Sequence, residues 1–138
     1  MKISRVLVVL PLAALTACGG NSVVPSADQA HTMACRGYVL AVGDADTAHV
    51  KDLISQAPYS GDDISTDSIL VKVRTAAASA GATAGLSAGD FTRFRTVVEA
   101  VDVLPGKATV TDDGSSQLAA IDLKPLADAV AAVHKLCY

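Results

Sequence analysis

Large aromatic side chains are scarce in this chain. Among 138 residues there is no tryptophan, and there are only two phenylalanines and three tyrosines, although 51% of the residues are hydrophobic. Alanine and valine supply most of that hydrophobic character, so a core must pack closely because each small side chain buries little area. The length is enough for one small domain.

An excess of basic residues and a paired set of catalytic groups are also missing. The formal net charge of −3 argues against binding to nucleic acid. The three histidines (His31, His49 and His134) and the single glutamate, Glu99, show no paired pattern for acid–base catalysis. Neither a phosphate-binding loop nor a nucleophile elbow occurs. The sequence therefore predicts a non-enzymatic protein without a cofactor.

The N-terminus has the pattern of a secretory signal. Lys2 and Arg5 form a short positive region, and the apolar stretch at residues 6–15 follows without a charge. That stretch is too short to cross a bilayer, which takes about 20 residues.

The residues after this stretch carry a resemblance. Leu15-Thr16-Ala17-Cys18 resembles the lipobox of bacterial lipoprotein precursors. The resemblance covers residues 1–18 and implies that the thiol of Cys18 receives a diacylglyceryl group before the signal is cut just ahead of it. A thiolate suits this reaction because it is the nucleophilic form of cysteine. The alternatives are an ordinary cleaved signal or an uncut anchor, in which Cys18 is incidental.

These patterns predict the organisation of the chain. Residues 1–17 are expected to be a lipoprotein signal peptide, residues 18–25 a lipidated tether and residues 26–138 a single helical domain. Two or more acyl chains would give a stable anchor on the extracytoplasmic face of a cell membrane. Loss of Lys2 and Arg5 leaves nine basic against 14 acidic residues, a net charge of −5. Anionic headgroups would repel such a domain mildly.

The remaining cysteines, Cys35 and Cys137, are expected to form a disulfide, because an exported chain meets an oxidising compartment. The bond would close a loop of about 100 residues and, in the chain-entropy model, stabilise the domain by about 4–5 kcal/mol. The alternative is a zinc-type site made of His31, Cys35, His134 and Cys137, because each His–Cys pair has helical spacing.

Apolar spacing and capping residues predict an all-α fold, a small bundle of four or five short helices whose N- and C-terminal helices are joined by the disulfide. Phe91 and Phe94 are expected to face the core, and a brief extended piece is expected at residues 108–111. Helix starts are expected at Ser26 with Gln29 in a capping box, Asp46 or Thr47, the acidic cluster 62–67, Asp90, and Ser115 or Ser116.

An uncharged segment of small residues occupies positions 75–89. Within it Ala77, Gly81, Gly85 and Gly89 recur every four residues, which on one helix would form a flat ridge for close packing. The segment could make a tight contact between helices, form a flexible connection, or insert into a membrane or a partner. Fifteen residues are short for a membrane span.

The anchor and the missing catalytic set predict a membrane-anchored envelope lipoprotein that binds or shields another envelope protein. A prophage-encoded exclusion lipoprotein, which blocks an incoming phage at the envelope, would be one such case. The alternative is a carrier of a small ligand or lipid, with the small-residue ridge lining a cavity.

Overall fold

The fold is an all-α bundle, as predicted. The computed structural model describes residues 23–55, 59–60, 66–104, 109–110, 116–118 and 122–138. The elements of these residues in chain order are α1 Ala27–Val42, α2 Ala45–Ser55, β1 Tyr59–Ser60, α3 Ser68–Gly81, α4 Ala88–Asp102, β2 Thr109–Val110, β3 Ser116–Leu118 and α5 Lys124–Cys137. The very short strands β1, β2 and β3 form one antiparallel sheet of order β1-β3-β2.

Two helices begin where the sequence predicts. Ser26 caps α1 in a capping box, because its hydroxyl accepts from Gln29 N (3.3 Å) while its own N–H donates to Gln29 Oε1 (3.0 Å). Asp67 caps α3, and its Oδ1 accepts from the N–H groups of Ile69 and Leu70, each at 2.9 Å. Both caps satisfy donors that the first turn of a helix leaves free.

Three predicted helix starts are wrong. Helix α2 begins at Ala45, one residue before the expected caps Asp46 and Thr47, so Asp46 lies in its first turn. The N-cap of α4 is Ser87, whose hydroxyl accepts from Asp90 N at 3.1 Å, so Asp90 lies in the first turn instead. Ser116 begins strand β3 and opens no helix, because its backbone pairs with the other two strands. The last helix starts at Lys124. Pro125 fits its first turn, because proline has no backbone N–H and the N–H groups of a first turn have no partner within the helix. The predicted extended piece contains β2.

The core forms around two aromatic rings. Tyr38 of α1 and Phe94 of α4 are fully buried, and their ring centroids lie 5.8 Å apart. Helix α3 packs between α1 and α4, while α5 packs against α4 and α2. Phe91, expected to face inward, is 44% exposed, and Val97 is buried on the inner face of α4 instead. Most of the other core residues are alanines and valines, including Ala30, Ala34, Val73, Ala76, Ala77, Ala80, Ala129, Val130 and Val133. The leucines Leu53, Leu70, Leu104 and Leu126 also belong to the core.

The predicted ridge of small residues is not continuous. Ala77 and Gly81 lie on α3, Gly85 lies in the turn that follows, and Gly89 lies in α4. The chain reverses at Gly85, whose φ of +81° suits glycine; a Cβ there would lie 2.4 Å from Pro25 O. At Gly81 a Cβ would lie 3.5 Å from Phe94 Cβ. A tight contact between α3 and α4 thus replaces the ridge.

Candidate functional site

A disulfide joins the first helix to the last. Cys35 of α1 bonds to Cys137 at the end of α5, across 102 residues of chain. The predicted disulfide between the terminal helices is therefore confirmed. Both sulfur atoms are used in this bond, so the alternative zinc-type site with His31 and His134 is wrong.

One histidine lies against this disulfide. Nδ1 of His31 is 3.0 Å from Asp90 Oδ2, and its Nε2 is 3.9 Å from Cys35 Sγ. Because an ionised carboxylate only accepts, Nδ1 is the donor to Asp90 and the other ring nitrogen faces the sulfur. Asp90 is 9% exposed and also accepts from Arg93 Nη1 at 3.3 Å. Sequence reasoning did not find this arrangement, in which Asp90 of α4 orients the His31 ring of α1.

The disulfide is open to solvent on this side. Cys35 is buried, whereas Cys137 is partly exposed. Both lie in an open cleft of about 350 Å³. The cleft is lined by His31, Thr32, Cys35, Arg36, Val39, Leu136 and Cys137.

A polar cluster lies close to the same end of α5. Asp46 of α2 is fully buried, and it accepts from Tyr38 Oη at 2.8 Å and from Thr47 N at 2.6 Å. Burial, and then the contact with Asp46, raises the pKa of the Tyr38 phenol well above its usual range. His134 Nδ1 is buried 4.0 Å from Asp46 Oδ1, outside hydrogen-bond distance. The buried carboxylate therefore holds α1 and α2 together beneath α5.

The last residue closes over this cluster. The Tyr138 ring stacks on His134, with centroids 4.1 Å apart, and its hydroxyl donates to Gly43 O. Partial burial, and then the charges of Asp46 and Asp44, raises the pKa of Tyr138. The chain end is thus held by its side chain as well as by Cys137.

The third histidine also faces an aspartate. His49 Nε2 lies 2.9 Å from Asp67 Oδ1, although the two atoms are not aligned for a hydrogen bond. Each histidine therefore lies within 4.0 Å of a carboxylate from another segment of the chain. Sequence reasoning found no acid–base pair because no partner lies close along the chain.

An apolar groove runs between α1 and α3, on a different face from the disulfide. Its volume is about 470 Å³. Met33 and Val71 at its edges are 58% and 48% exposed, and of the described residues that line it only Lys72 is charged. The lining residues are Met33, Ala34, Gly37, Ala41, Ser68, Val71, Lys72, Thr75, Ala76, Ser79, Ala80 and Thr83. Part of the predicted small-residue segment therefore forms the α3 side of an open groove.

The groove lies beside the segment that precedes α1. A second depression is lined by Val23, Pro25, Asp28, Gln29, Thr32 and Met33, and it shares Met33 with the groove. Val23 is 86% exposed. A depression with both apolar and polar side chains therefore joins the start of α1 to the groove.

Several predicted features lie outside the described residues. These are Cys18, the rest of the lipobox and most of the predicted tether. In the parts of the chain that the structure describes, none of the helices has both the length and the apolar character needed to cross a membrane.

Scans of the chain against protein-family models, curated proteins and solved structures gave no match.

Proposed function

We propose that this chain is an envelope lipoprotein, anchored on the extracytoplasmic face of a membrane by lipid on Cys18. The support lies in the sequence, where a charged start, an apolar stretch and the lipobox-like Leu15-Thr16-Ala17-Cys18 follow in order. The helical domain begins with the Ser26 capping box, eight residues after Cys18. Such a tether holds the start of α1 within roughly 26–29 Å of the lipid.

The domain acts by binding a membrane protein of the envelope, without catalysis. The observation that carries this proposal is the open groove between α1 and α3, which exposes Met33 and Val71. An apolar surface of this kind, rimmed by polar residues, is typical of an interaction site. The short tether limits the partners to proteins in or close to the same membrane.

The partner segment that fits the groove is an amphipathic helix. Small residues such as Gly37 and Ala80 let a helix approach the floor closely, and an apolar helix face in a groove is a common recognition mode. Lys72 is the one charge among the described lining residues, so the segment is expected to place an acidic side chain opposite it.

Two matched variants test the groove. Thr75 and Thr96 are both exposed helical threonines whose hydroxyls donate to the carbonyl four residues earlier at 2.8 Å, but only Thr75 lines the groove. Cross-linking in membranes of the native host, followed by mass spectrometry, should recover the same membrane protein with the wild-type chain and with Thr96→Trp. Thr75→Trp should lose it. Equal recovery by all three chains would contradict the proposal.

Shielding of a phage receptor is one form that this binding could take. A prophage-type exclusion lipoprotein would reduce plaque formation by phages that use the bound protein. Thr75→Trp should restore plaques, whereas Thr96→Trp should not. Unchanged plaque counts for the wild-type chain would remove this form of the proposal and leave the binding proposal to the cross-linking result.

The second candidate is a carrier of a lipid or small apolar ligand. The groove favours it because apolar and small side chains supply most of its lining, with enough room for part of an acyl chain. Native mass spectrometry of the detergent-extracted protein should then show a bound lipid that Thr75→Trp releases. A ligand-free mass for the wild-type chain would speak for the protein partner instead.

A further inference from the structure

The Cys35–Cys137 bond has neighbours that a purely structural crosslink does not need. His31 places one ring nitrogen 3.9 Å from Cys35 Sγ, and the buried Asp90 fixes the ring through the other nitrogen at 3.0 Å. The bond also lies in an open cleft that contains Arg36. A disulfide at a cleft, an oriented imidazole and a nearby guanidinium are the parts that thiol–disulfide exchange uses.

We propose that Cys35–Cys137 is an exchangeable disulfide, that thiols open it by attack on Cys137, and that His31 assists the departure of Cys35. Attack is assigned to Cys137 because it is the more exposed residue of the pair, whereas Cys35 is buried and lies beside His31. This inference concerns a different face from the groove and does not depend on the lipid anchor.

The steps balance with two external thiols. The first thiolate attacks Cys137 Sγ and forms a mixed disulfide, and the Cys35 sulfur leaves with the electron pair of the broken bond. The imidazolium of His31 gives its Nε2 proton to that sulfur. A second external thiolate attacks the external sulfur of the mixed disulfide, releases Cys137 as a thiolate that takes a proton from water, and leaves as the oxidised external disulfide.

The surroundings of His31 fit this role. Its ring contacts Asp90 of α4, Asp90 also pairs with Arg93, and Arg36 of α1 lines the same cleft as His31. Asp90 is a positioning residue, because it holds the ring with Nε2 towards the sulfur. Arg36 lines the same cleft and favours the approach of a thiolate.

Opening the bond would release the covalent attachment of the end of α5. The hydrogen bond from Tyr138 to Gly43 and the packing of Leu136 against the core would remain. Through this exchange, the redox state of the compartment would determine whether the last turn of α5 is covalently bonded to α1.

The test measures the reduction rate of the full, detergent-extracted chain by reduced glutathione. Samples are quenched with an alkylating reagent, and peptide masses report Cys35 and Cys137 separately. His31→Ala should slow the reaction about tenfold or more, because general acid assistance is lost. His49→Ala, which also removes a histidine beside an aspartate, should keep the wild-type rate. The first intermediate should carry glutathione on Cys137 and an alkylated Cys35.

The pH dependence of the reduction rate distinguishes proton transfer by His31 from a change in packing caused by the substitution. Expressed per glutathione thiolate, the advantage of the wild-type chain over His31→Ala should depend on pH, because only a protonated imidazole can give up the proton. Asp90→Asn should slow the reaction and alter this profile. Circular dichroism reports the helical fold of each variant; if His31→Ala unfolds, His31→Gln decides the matter. Equal rates in a folded His31 variant and the wild-type chain, or glutathione first found on Cys35, would overturn the proposal.

Discussion

The two faces of α1 differ in how completely they are closed. On one face Cys35 is bonded to α5, and His31 is fixed by Asp90. On the other face Met33 and Leu40 are 58% and 77% exposed, and small residues border an open groove. The difference indicates that covalent and polar contacts at one edge stabilise a small domain whose other edge is open.

The largest effect is expected from breaking the closed face. The double substitution Cys35→Ala with Cys137→Ala should lower the free energy of unfolding by about 4–5 kcal/mol, because the open chain regains the entropy of a loop of about 100 residues. Urea unfolding followed by circular dichroism measures the loss. The wild-type chain in reductant provides the control and should match the variant. A loss of less than about 1 kcal/mol would show that polar contacts alone hold the end of α5.

A smaller effect is expected at the turn between α3 and α4. Gly85→Ala should destabilise by about 1–2 kcal/mol, because φ is positive there and the new Cβ would meet Pro25 O. Gly89→Ala is the matched control, since it lies in α4 with a free approach for a Cβ, and it should be neutral or stabilise slightly. Equal changes in melting temperature for Gly85→Ala and Gly89→Ala would contradict the placement of Gly85 in a turn and of Gly89 in α4.

High pH should lower the free energy of unfolding through Tyr38, which lies beneath the same end of α5. The pKa of Tyr38 is raised in the folded chain, so above about pH 10 the unfolded state loses a proton that the folded state keeps. Stability should therefore be retained below pH 10 and fall above it, by about 1 kcal/mol between pH 10 and 11 for this group. Urea unfolding across this range measures the slope. Tyr38→Phe should flatten it, and an unchanged slope in that variant would assign the loss to other groups.

The smallest effect on stability is expected on the open face. Thr75→Trp, which should abolish partner binding, is expected to change the free energy of unfolding by no more than about 0.5 kcal/mol, because Thr75 is exposed and nothing covers it among the described residues. Thr96→Trp should behave alike in urea unfolding. A destabilisation well above this for Thr75→Trp alone would mean that the groove wall supports the fold.

Sequence reasoning succeeded where the deciding residues lie close together in the chain. The Ser26–Gln29 box and the Asp67 cap act across three residues, so spacing alone identifies them. The helical fold followed from apolar periodicity, and the disulfide from the pairing of two cysteines in a chain expected to be exported.

Contacts between distant segments could not be predicted from the sequence. His31 and Asp90 are 59 residues apart, and nothing near either residue indicates the other. Ser87 and Asp90 are both good caps three residues apart, so composition could not choose between them. Strand β3 depends on pairing with β1 and β2, which a local pattern of Ser116 and its neighbours does not reveal.

The most direct test of the account is the intact mass of the protein extracted from membranes, before and after reduction. We expect the mass of residues 18–138 plus acyl chains, with a gain of two hydrogen atoms on reduction of Cys35–Cys137. A mass without acyl chains would contradict the anchor and remove the restriction to membrane partners. No gain on reduction would contradict the disulfide that closes one face of the domain.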